Sequence, residues 1–268
     1  MNLQELKTQG RKILKENNID EREARLLLAF AIGIEPDELI KVSECTEDVC
    51  EKYFYLIEKR ISGIPFAYIT GHKEFMKLDF KVNENVLIPR PETELLVNEV
   101  LIRKPNTLLD MCTGSGCIAI SAAYYGKMER VMAADISEKA LNVARENATK
   151  NNVKVEFIKS DLFENITEKY DIIVSNPPYI KTDVIETLEI DVKKEPYIAL
   201  DGGVDGLDFY RRIISEANKY LNANGYLMLE IGYDQGEEVK ELLNKNGYND
   251  VEVIKDLSGN DRICIGKQ

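Results

Sequence analysis

The chain has 268 residues, with 35 Lys and Arg against 47 Asp and Glu, which gives a formal net charge of −12. A hydrophobic content of 44% with 31% charged residues is typical of a globular protein with a substantial core, and the length allows one large domain with a small partner. The acidic balance argues against broad electrostatic binding to a nucleic-acid backbone, which requires clustered Lys and Arg.

Three absences narrow the class of protein further. The longest apolar run, residues 26–34, is far shorter than the roughly 20 residues that cross a bilayer, and we expect neither a membrane segment nor a signal peptide. The five cysteines include no CxxC pair, so we expect reduced thiols, a cytoplasmic location and no metal site. The chain has only one histidine, His72, so it cannot form a metal site with several His ligands, and a Ser-His-Asp triad would have to use that residue.

The first 70 residues are predicted to be helical. Asp20 followed three residues later by Glu23 is an N-cap pattern before an apolar helix, and residues 49–61 continue the helical spacing of apolar side chains. No segment here alternates with the period of a strand. We therefore expect a small helical domain over residues 1–70.

Residues 71–91 have a different pattern, because residues 74–82 alternate apolar and polar side chains at period two. Residues 83–85, Asn-Glu-Asn, offer a turn, and the apolar residues that follow complete a β-hairpin in this prediction. The hairpin is expected to link two domains. A helix over Glu92–Arg103 is expected next, since Pro91 suits a first helical turn.

From Thr107 onward, the chain alternates strands, glycine-rich turns and helices. The predicted strands are Leu108–Met111, Arg130–Ala134, Lys154–Ile158, Asp171–Ser175, Gly225–Ile231, Val251–Ile254 and Arg262–Ile265. The predicted helices between them are Gly116–Tyr125, Ser137–Asn151, Gly206–Leu221 and Gln235–Asn246. This alternation predicts an α/β, Rossmann-like domain over residues 92–268, with a seven-stranded, mostly parallel sheet whose last two strands form an antiparallel edge hairpin.

The first predicted strand leads into a glycine-rich turn and a helix, in the sequence LLDMCTGSGCIA at residues 108–119. Gly114 and Gly116 allow a tight turn and a close approach of the backbone to a ligand. Asp135, 19 residues after Gly116, ends the next strand at the same edge of the sheet and suits both hydroxyls of a ribose. The sequence therefore predicts a nucleoside site.

The identity of the nucleoside depends on Asp110. The turn alone also suits a dinucleotide-binding oxidoreductase that uses NAD. A carboxylate at Asp110 would repel a pyrophosphate but would attract an α-ammonium group. This favours S-adenosylmethionine over NAD.

A second motif, Asn176-Pro177-Pro178-Tyr179, follows the predicted strand Asp171–Ser175 at the ligand edge of the sheet. The prolines stiffen the loop and carry no N–H, so the Asn176 side-chain oxygen and the Pro177 carbonyl can accept both hydrogens of one planar –NH2 group. Tyr179 offers a flat face for stacking. The motif predicts methyl transfer to an amide or exocyclic amine nitrogen by positioning and electrostatics, without a metal.

Several segments together resemble the peptide chain release factor N5-glutamine methyltransferases, the HemK/PrmC family of class I S-adenosylmethionine-dependent methyltransferases. The segments are GIPFAYITGHKEF at 63–75, LIPRPETE at 87–94, DMCTGSG at 110–116, SNPPYI at 175–180, EPYIALDGGVDGLDFYR at 195–211 and DLSGNDR at 256–262. The resemblance implies methylation of the Gln side-chain amide in the Gly-Gly-Gln loop of class-1 release factors. It also implies that the N-terminal helices help to dock that protein substrate.

The resemblance also implies site residues. Contacts with S-adenosylmethionine, and with the product S-adenosylhomocysteine, are expected from Asp110, Met111, Cys112, Thr113, Gly114, Ser115, Gly116, Asp135, Ile136, Asp161, Leu162 and Asn176. The substrate amide is expected to contact Arg90, Glu92, Asn176, Pro177, Pro178 and Tyr179, with Asn176, Pro177 and Tyr179 in the catalytic role. Release factors are the expected partners, and we expect a monomer that binds no nucleic acid directly.

Two positions depart from the family pattern, and one alternative stays open. Cys112 stands where the family usually has glycine, so we expect no requirement for a positive φ there. Leu162 stands where some relatives have an aromatic side chain, so packing on adenine would be aliphatic. The alternative is a nucleic-acid N6-adenine methyltransferase, because it shares the Asn-Pro-Pro-Tyr motif, although the net charge of −12 argues against it.

Overall fold

The computed structural model describes residues 1–268 and divides the chain into two units. The smaller unit consists of Met1–Gly71 together with Glu189–Lys194, and the larger unit consists of His72–Leu188 and Glu195–Gln268. The chain therefore returns to the smaller unit for six residues in the middle of the larger one. This return differs from the predicted organisation, in which residues 1–70 alone form the helical domain.

The smaller unit is helical. Its helices are α1 (Leu3–Glu16), α2 (Glu23–Ile32), α3 (Glu47–Ile61) and α4 (Phe66–Thr70), with a 3-10 helix at Pro36–Lys41. Leucines on α1 and α2 pack with Tyr53 and Ile57 of α3 in a core of their own. Asp20 lies before α2 but is not its N-cap, because its carboxylate accepts the backbone N–H of Arg22, and the helix begins after that turn.

A buried arginine holds the returning segment in the smaller unit. The Arg60 guanidinium on α3 donates to Glu23 at 2.6 Å and to Asp191 at 3.3 Å. The Arg60 side chain is only 10% exposed, so the two carboxylates balance a charge that has lost most of its water.

The larger unit contains nine strands and six helices. The strands are β1 (His72–Phe75), β2 (Leu78–Lys81), β3 (Thr107–Met111), β4 (Arg130–Asp135), β5 (Glu156–Lys159), β6 (Tyr170–Ser175), β7 (Leu221–Glu230), β8 (Asn249–Lys255) and β9 (Asp261–Lys267). The helices are α5 (Thr93–Arg103), α6 (Cys117–Tyr125), α7 (Glu138–Lys150), α8 (Thr182–Ile185), α9 (Asp208–Ala217) and α10 (Gly236–Lys245), with a 3-10 helix at Tyr197–Ala199.

Seven of the strands form one sheet in the order β5-β4-β3-β6-β7-β9-β8. The strands from β5 to β7 pair in parallel, whereas β9 pairs antiparallel with both β7 and β8. Two apolar clusters pack against the sheet. The seven-stranded, mostly parallel α/β sheet of a class I methyltransferase and its antiparallel edge hairpin are therefore confirmed.

The small hairpin exists, but its turn was predicted in the wrong place. Strands β1 and β2 pair across Met76 and Lys77, which have φ angles of 51° and 58°. The predicted turn at 83–85 is an Asx-type turn, in which the Asn83 side chain accepts the Asn85 N–H, and no strand follows it. Non-glycine residues rarely adopt positive φ, so the sequence gives no Asn-Gly signal for the real turn. Contacts from Glu94 and Tyr125 to the Met76 backbone hold that turn.

No helix of the structure combines the length and the apolar character that a bilayer crossing requires.

Candidate active site

The main candidate site is a cavity at the carboxyl ends of β3, β4, β5 and β6, where parallel sheets of this kind bind ligands. The predicted site residues that line it are Arg90, Met111, Cys112, Thr113, Gly114, Ser115, Asp135, Ile136, Asp161, Leu162, Asn176 and Pro178. The predicted site residues absent from its lining are Glu92, Asp110, Gly116, Pro177 and Tyr179. The sheet therefore brings the glycine-rich turn, Asp135 and the Asn-Pro-Pro-Tyr loop to one cavity.

The turn after β3 uses left-handed backbone at three positions, Cys112, Gly114 and Gly116. Gly114 has φ of 54°, and a Cβ added there would meet nothing within 4 Å, so its open face borders the cavity. Cys112 has φ of 60°. The expectation that this position needs no positive φ is therefore wrong, because the tight path from strand to turn imposes it despite the Cβ.

Asp110 stabilises this turn by hydrogen bonds to the turn and to α6. Its carboxylate accepts the Thr113 hydroxyl at 2.5 Å and the Ala119 backbone N–H at 3.1 Å, while its other oxygen is buried with no hydrogen-bond partner. Burial raises the pKa of Asp110 to about 7. Asp110 thus shapes the turn directly, and its predicted contact with an ammonium group stays a prediction.

Asp135 ends β4 at the edge of the cavity. One carboxylate oxygen accepts the Gly114 N–H and the other accepts the Ser137 N–H, both at 2.9 Å. Burial raises the pKa of Asp135, and these backbone hydrogen bonds oppose the rise. The side chain is thereby fixed between the glycine-rich turn and α7, where it can accept hydrogen bonds from two vicinal hydroxyls.

Asp161 and Leu162 line the cavity beyond Asp135. Leu162 has φ of 49°, and its carbonyl accepts the Ser160 hydroxyl at 2.6 Å. Asp161 forms an ion pair at 2.7 Å with Arg212 of α9, which also lines the cavity. Leu162 and Ile136 supply aliphatic surface on which a flat base can pack.

Asn176 presents its side chain to the cavity directly after β6. Its Nδ2 donates to the Thr93 hydroxyl of α5 at 3.4 Å. In this orientation the Oδ1 atom remains available to accept hydrogen bonds from a ligand in the cavity. The preceding residue, Ser175, donates from its hydroxyl to the Met111 carbonyl at 2.7 Å. That bond ties the end of β6 to the end of β3.

The loop that begins at Asn176 is held from its other side by residues 200–206. Gly202 donates its N–H to the Ile180 carbonyl at 2.8 Å, and a Cβ on Gly202 would lie 2.7 Å from the Tyr179 Cα. Gln235 donates to the Tyr179 carbonyl at 3.1 Å and to the Gly206 carbonyl at 3.2 Å. The loop therefore has little freedom to move.

Tyr179 packs against the core beside the cavity. Burial raises the pKa of Tyr179 to about 12, so the phenol stays neutral. A neutral ring is suited to packing against an amide. It is not a group that accepts a proton at neutral pH.

The Arg90 side chain is engaged in an ion pair with a buried carboxylate. Its guanidinium forms an ion pair with Glu195, whose side chain is 1% exposed and also accepts the Ile88 N–H at 2.9 Å. This pair fixes the segment before α5 that forms one wall of the cavity. Glu92, in contrast, is exposed and does not line the cavity.

The cavity has features that fit a nucleoside bearing an amino acid. The open face of Gly114 offers space that a Cβ would occupy, and an unpaired buried oxygen of Asp110 lies behind the turn. Asp135 can bind vicinal hydroxyls, and Leu162 with Ile136 can pack on a base. The residues present therefore fit S-adenosylmethionine.

Several residues that line the cavity were not among the predicted site residues, including Val86, Leu87, Ile198, Phe209 and Arg212. Leu87, Ile198 and Phe209 lie within the segments 87–94 and 195–211 that carry the family resemblance, so the sequence offered a signal for them. Val86 and Arg212 lie outside those segments, and only the fold shows that they meet here. Thr93 also lines the cavity, directly after the predicted site residue Glu92.

No group of three or more His, Cys, Asp or Glu side chains is placed to hold a metal ion. His72 does not line the cavity; its Nδ1 lies 3.2 Å from Asp79 Oδ1 and 3.2 Å from Lys150 Nζ.

Two family models match the chain. Residues 91–191 match the methyltransferase small domain, and residues 5–71 match the PrmC N-terminal domain. The first match includes the glycine-rich turn and the Asn-Pro-Pro-Tyr motif. The second lies within the helical unit.

Two curated relatives are similar over nearly the full length. A release factor glutamine methyltransferase of Clostridium botulinum is 44% identical and aligns with 100% of both chains. A release factor glutamine methyltransferase of Thermodesulfovibrio yellowstonii is 41% identical, with 95% of each chain covered.

A solved structure shares the fold. The crystal structure of a methyltransferase from Pyrococcus furiosus aligns with a TM-score of 0.58 and 24% identity, covering 81% of this chain and 97% of that chain.

Proposed function

This chain belongs to the family of release factor glutamine methyltransferases, and we propose on that basis that it methylates the side-chain amide nitrogen of the Gln in the Gly-Gly-Gln loop of class-1 release factors. The observation that carries the proposal is that Asn176 lines the same cavity as the glycine-rich turn and Asp135. The proposed sites for the methyl donor and for the acceptor amide therefore adjoin.

The proposed methyl donor is S-adenosylmethionine, which supplies an electrophilic methyl group when bound. Asp135 is the proposed acceptor for the ribose hydroxyls, since its carboxylate is already held by two backbone N–H groups. Ile136 and Leu162 would pack on the adenine. The turn at Cys112–Gly116 would surround the amino-acid end.

The acceptor side of the reaction depends on an amide nitrogen, which is a weak nucleophile because its lone pair is delocalised. The Asn176 Oδ1 and the Pro177 carbonyl would each accept one amide hydrogen. Accepting both hydrogens fixes the plane of the –NH2 group and increases the electron density on nitrogen. Tyr179 would pack beside the amide as a neutral ring.

Partial desolvation of the cavity supports this mechanism. Thr93, Ser175 and Pro178 are buried around Asn176, so few waters compete for its oxygen. Hydrogen bonds in such surroundings are stronger than in water. In this proposal the chain's own residues bind, orient and polarise the amide, and as the N–CH3 bond forms one N–H proton is lost along its hydrogen bond to water, so no added base is required.

The direct test measures transfer of labelled methyl from S-adenosylmethionine to a purified class-1 release factor. We expect one methyl per factor, located on the Gln of the Gly-Gly-Gln loop by mass spectrometry. The matched control is the same factor with that Gln replaced by Ala. Equal labelling of both factors would contradict the proposed substrate.

The adenine alternative has less support. The curated relatives act, by name, on release factor glutamine, and the net charge of −12 opposes capture of a nucleic acid. A mobility-shift assay at low salt checks this point, and we expect no shift of DNA or RNA.

The helical unit is proposed to contribute to docking of the release factor, because residues 5–71 match the PrmC N-terminal domain. A cytoplasmic location is proposed as well, since the substrate acts in translation and all five cysteines are free thiols.

A further inference from the structure

Glu230 is a buried carboxyl group that the proposed mechanism leaves without a role. It is the last residue of β7, which neighbours β6 in the sheet, and it is only 2% exposed. Its backbone carbonyl accepts the Tyr210 hydroxyl at 2.9 Å, and its backbone pairs with Ile263 of β9. The backbone is therefore firmly placed, and the side chain points away from bulk water.

The carboxyl group of Glu230 lies in a cluster with Asn176 and Thr93. Ser175 pairs with Leu229, so Asn176 and Glu230 follow paired residues of adjacent strands, and Thr93 and Asn176 lie close enough to the Glu230 carboxyl group to lower its pKa. Thr93 in turn accepts from Asn176 Nδ2 at 3.4 Å. Glu230 Oε2 is buried with no hydrogen-bond partner within bonding distance, so the carboxyl group keeps unused acceptor capacity. A buried acid with an unpaired oxygen is costly and calls for a role.

The orientation of the Asn176 amide decides whether it can bind the substrate. One end of the side chain is an acceptor and the other is a donor of two hydrogens, and the two ends have nearly the same shape. The substrate –NH2 group also donates two hydrogens. If the Asn176 amide rotated by 180°, its Nδ2 hydrogens would face the hydrogens of the substrate –NH2 group. Oδ1 would then no longer be available to accept a hydrogen bond from the substrate.

We propose that Glu230 is a positioning residue that sets this orientation. An ionised carboxylate can only accept hydrogen bonds, so it holds the Asn176 Nδ2 and the Thr93 hydroxyl on the protein side. Asn176 Oδ1 is then left facing the cavity. This inference rests on the proposed function, because it concerns how the acceptor amide is held.

A protonated Glu230 would have the opposite effect. Its O–H could donate to Asn176 Oδ1, which would stabilise the rotated amide. Burial raises the pKa of Glu230 to about 7, and hydrogen bonds from Thr93 and Asn176 oppose the rise. The orienting, ionised form therefore predominates above about pH 7 and is lost as the pH falls below it.

The charged groups around Glu230 influence the pH at which its carboxyl group ionises. Arg262 of β9 favours the ionised form, while Glu92, before α5, disfavours it. Tyr179, Tyr210 and Cys117 also face Glu230, and they are neutral at this pH because burial raises the pKa of each. Asp110 is a second buried acid with a pKa raised to about 7, so a variant of Glu230 is needed to separate the two groups.

The test compares wild type with Glu230→Gln for kcat and KM between pH 6 and 9, with a release factor as substrate. For wild type we expect kcat to rise with pH through about 7. For the variant we expect about a tenfold lower kcat at pH 8, no rise through pH 7 and unchanged affinity for S-adenosylhomocysteine. A variant with wild-type kcat, or with the same rise through pH 7, would overturn the inference.

A second pair of variants keeps the inference testable if Glu230→Gln does not fold. Thr93→Val removes the hydroxyl that joins Asn176 to Glu230, and Thr93→Ser restores it. We expect Thr93→Val to lower kcat and Thr93→Ser to regain most of the loss. Equal kcat for both variants would contradict the inference. Tyr210→Phe is the matched control, because it removes the hydrogen bond to the Glu230 backbone carbonyl but removes neither a charge nor a hydrogen bond to Asn176 or Thr93, and it should keep the rise through pH 7.

Infrared spectroscopy of the ligand-free protein gives a readout that does not depend on activity. We expect a carboxylic-acid band that disappears between pH 6 and 8 in wild type and is weaker in Glu230→Gln, leaving the contribution of Asp110. No difference between the two spectra would contradict the assigned ionisation. If wild type fails to methylate any release factor, the proposed function fails, whereas an active wild type with an unaltered variant rejects only the role of Glu230.

Discussion

At the scale of single residues, two side chains of the cavity have oxygens whose directions are fixed by hydrogen bonds. Asn176 Oδ1 is available to a substrate because Nδ2 is directed to Thr93. Asp135 is available to a ribose because two backbone N–H groups fix its carboxylate. In both cases a neighbour that belongs to another element determines the direction of the functional group.

Asn176→Ala is expected to lower turnover by several hundred-fold or more. It removes one contact that is made in the transition state, worth about 3–4 kcal/mol. Affinity for S-adenosylhomocysteine, measured by calorimetry, should change far less. A turnover close to that of wild type would contradict the role assigned to this side chain.

Cys112 is expected to carry a conformational cost, since it has φ of 60°. Left-handed backbone costs a residue with a Cβ roughly 1–2 kcal/mol, and glycine avoids that cost. Cys112→Gly should therefore have a free energy of unfolding about 1 kcal/mol higher than that of Cys112→Ala, measured by denaturant unfolding. The comparison between the two variants cancels the loss of the thiol. A less stable glycine variant would contradict the prediction.

The residues of the motifs could be predicted from the sequence, because their spacing along the chain carries the signal. Gly114, Asp135 and Asn176 follow strands, and strand ends meet at one edge of a parallel sheet. Glu230 also lies near the end of a predicted strand, Gly225–Ile231, but its burial beside Asn176 and Thr93 is recognisable only when the neighbours from other elements are known. Arg212 carried no such signal, because it lies on α9, distant in sequence from its partner Asp161.

At the scale of elements, the Asn-Pro-Pro-Tyr loop is stiff for two reasons. Its prolines restrict the backbone, and the segment at residues 200–206 packs against it without side chains between. The bond from Gly202 to Ile180 and the bond from Gln235 to Tyr179 hold the loop on its outer side.

Gly202→Ala is expected to displace the loop, because the added Cβ would lie 2.7 Å from the Tyr179 Cα and 2.9 Å from the Pro178 carbonyl oxygen. Small misplacements of reacting groups are costly, so we expect kcat to fall about tenfold or more. The control is Val204→Ala, which alters a side chain of the same segment that is 89% exposed and should keep wild-type kcat. Equal turnover of the two variants would contradict the close packing.

The elements of the large sheet were predictable because buried parallel strands are short, apolar runs between helices. The small hairpin was only half predictable. The period-two pattern runs without interruption through residues 74–82, so it indicates strands but gives no position for the turn. Tertiary contacts to the Met76 backbone, which the pattern does not encode, select Met76 and Lys77.

At the scale of the whole molecule, the chain alternates between its two units. It leaves the larger unit after Leu188, spends Glu189–Lys194 in the helical unit and returns at Glu195. Glu195 is the partner of Arg90 in the wall of the cavity. A domain boundary drawn once along the sequence, at residue 70, could not show this second crossing, because the segment has no composition of its own.

Arg60→Ala is expected to destabilise the helical unit, since it leaves Glu23 and Asp191 without their buried cation. Loss of one partner of a buried pair costs about 3 kcal/mol where the carboxylates keep some contact with water. Trypsin should then cleave faster at the exposed Lys193 and Lys194. Lys41→Ala, which removes an exposed ion pair with Glu38, is the control and should leave the cleavage rate unchanged. Equal cleavage in both variants would contradict the anchoring role.

The most direct measurement is a crystal structure of this chain with S-adenosylhomocysteine and a class-1 release factor. We expect the Gln amide nitrogen to lie within about 3 Å of both Asn176 Oδ1 and the Pro177 carbonyl oxygen, the distance of a normal hydrogen bond. The nitrogen should face the sulfur of the cofactor. A complex in which Asn176 turns its Nδ2 toward the cavity, or in which a group other than an –NH2 occupies that position, would contradict the account.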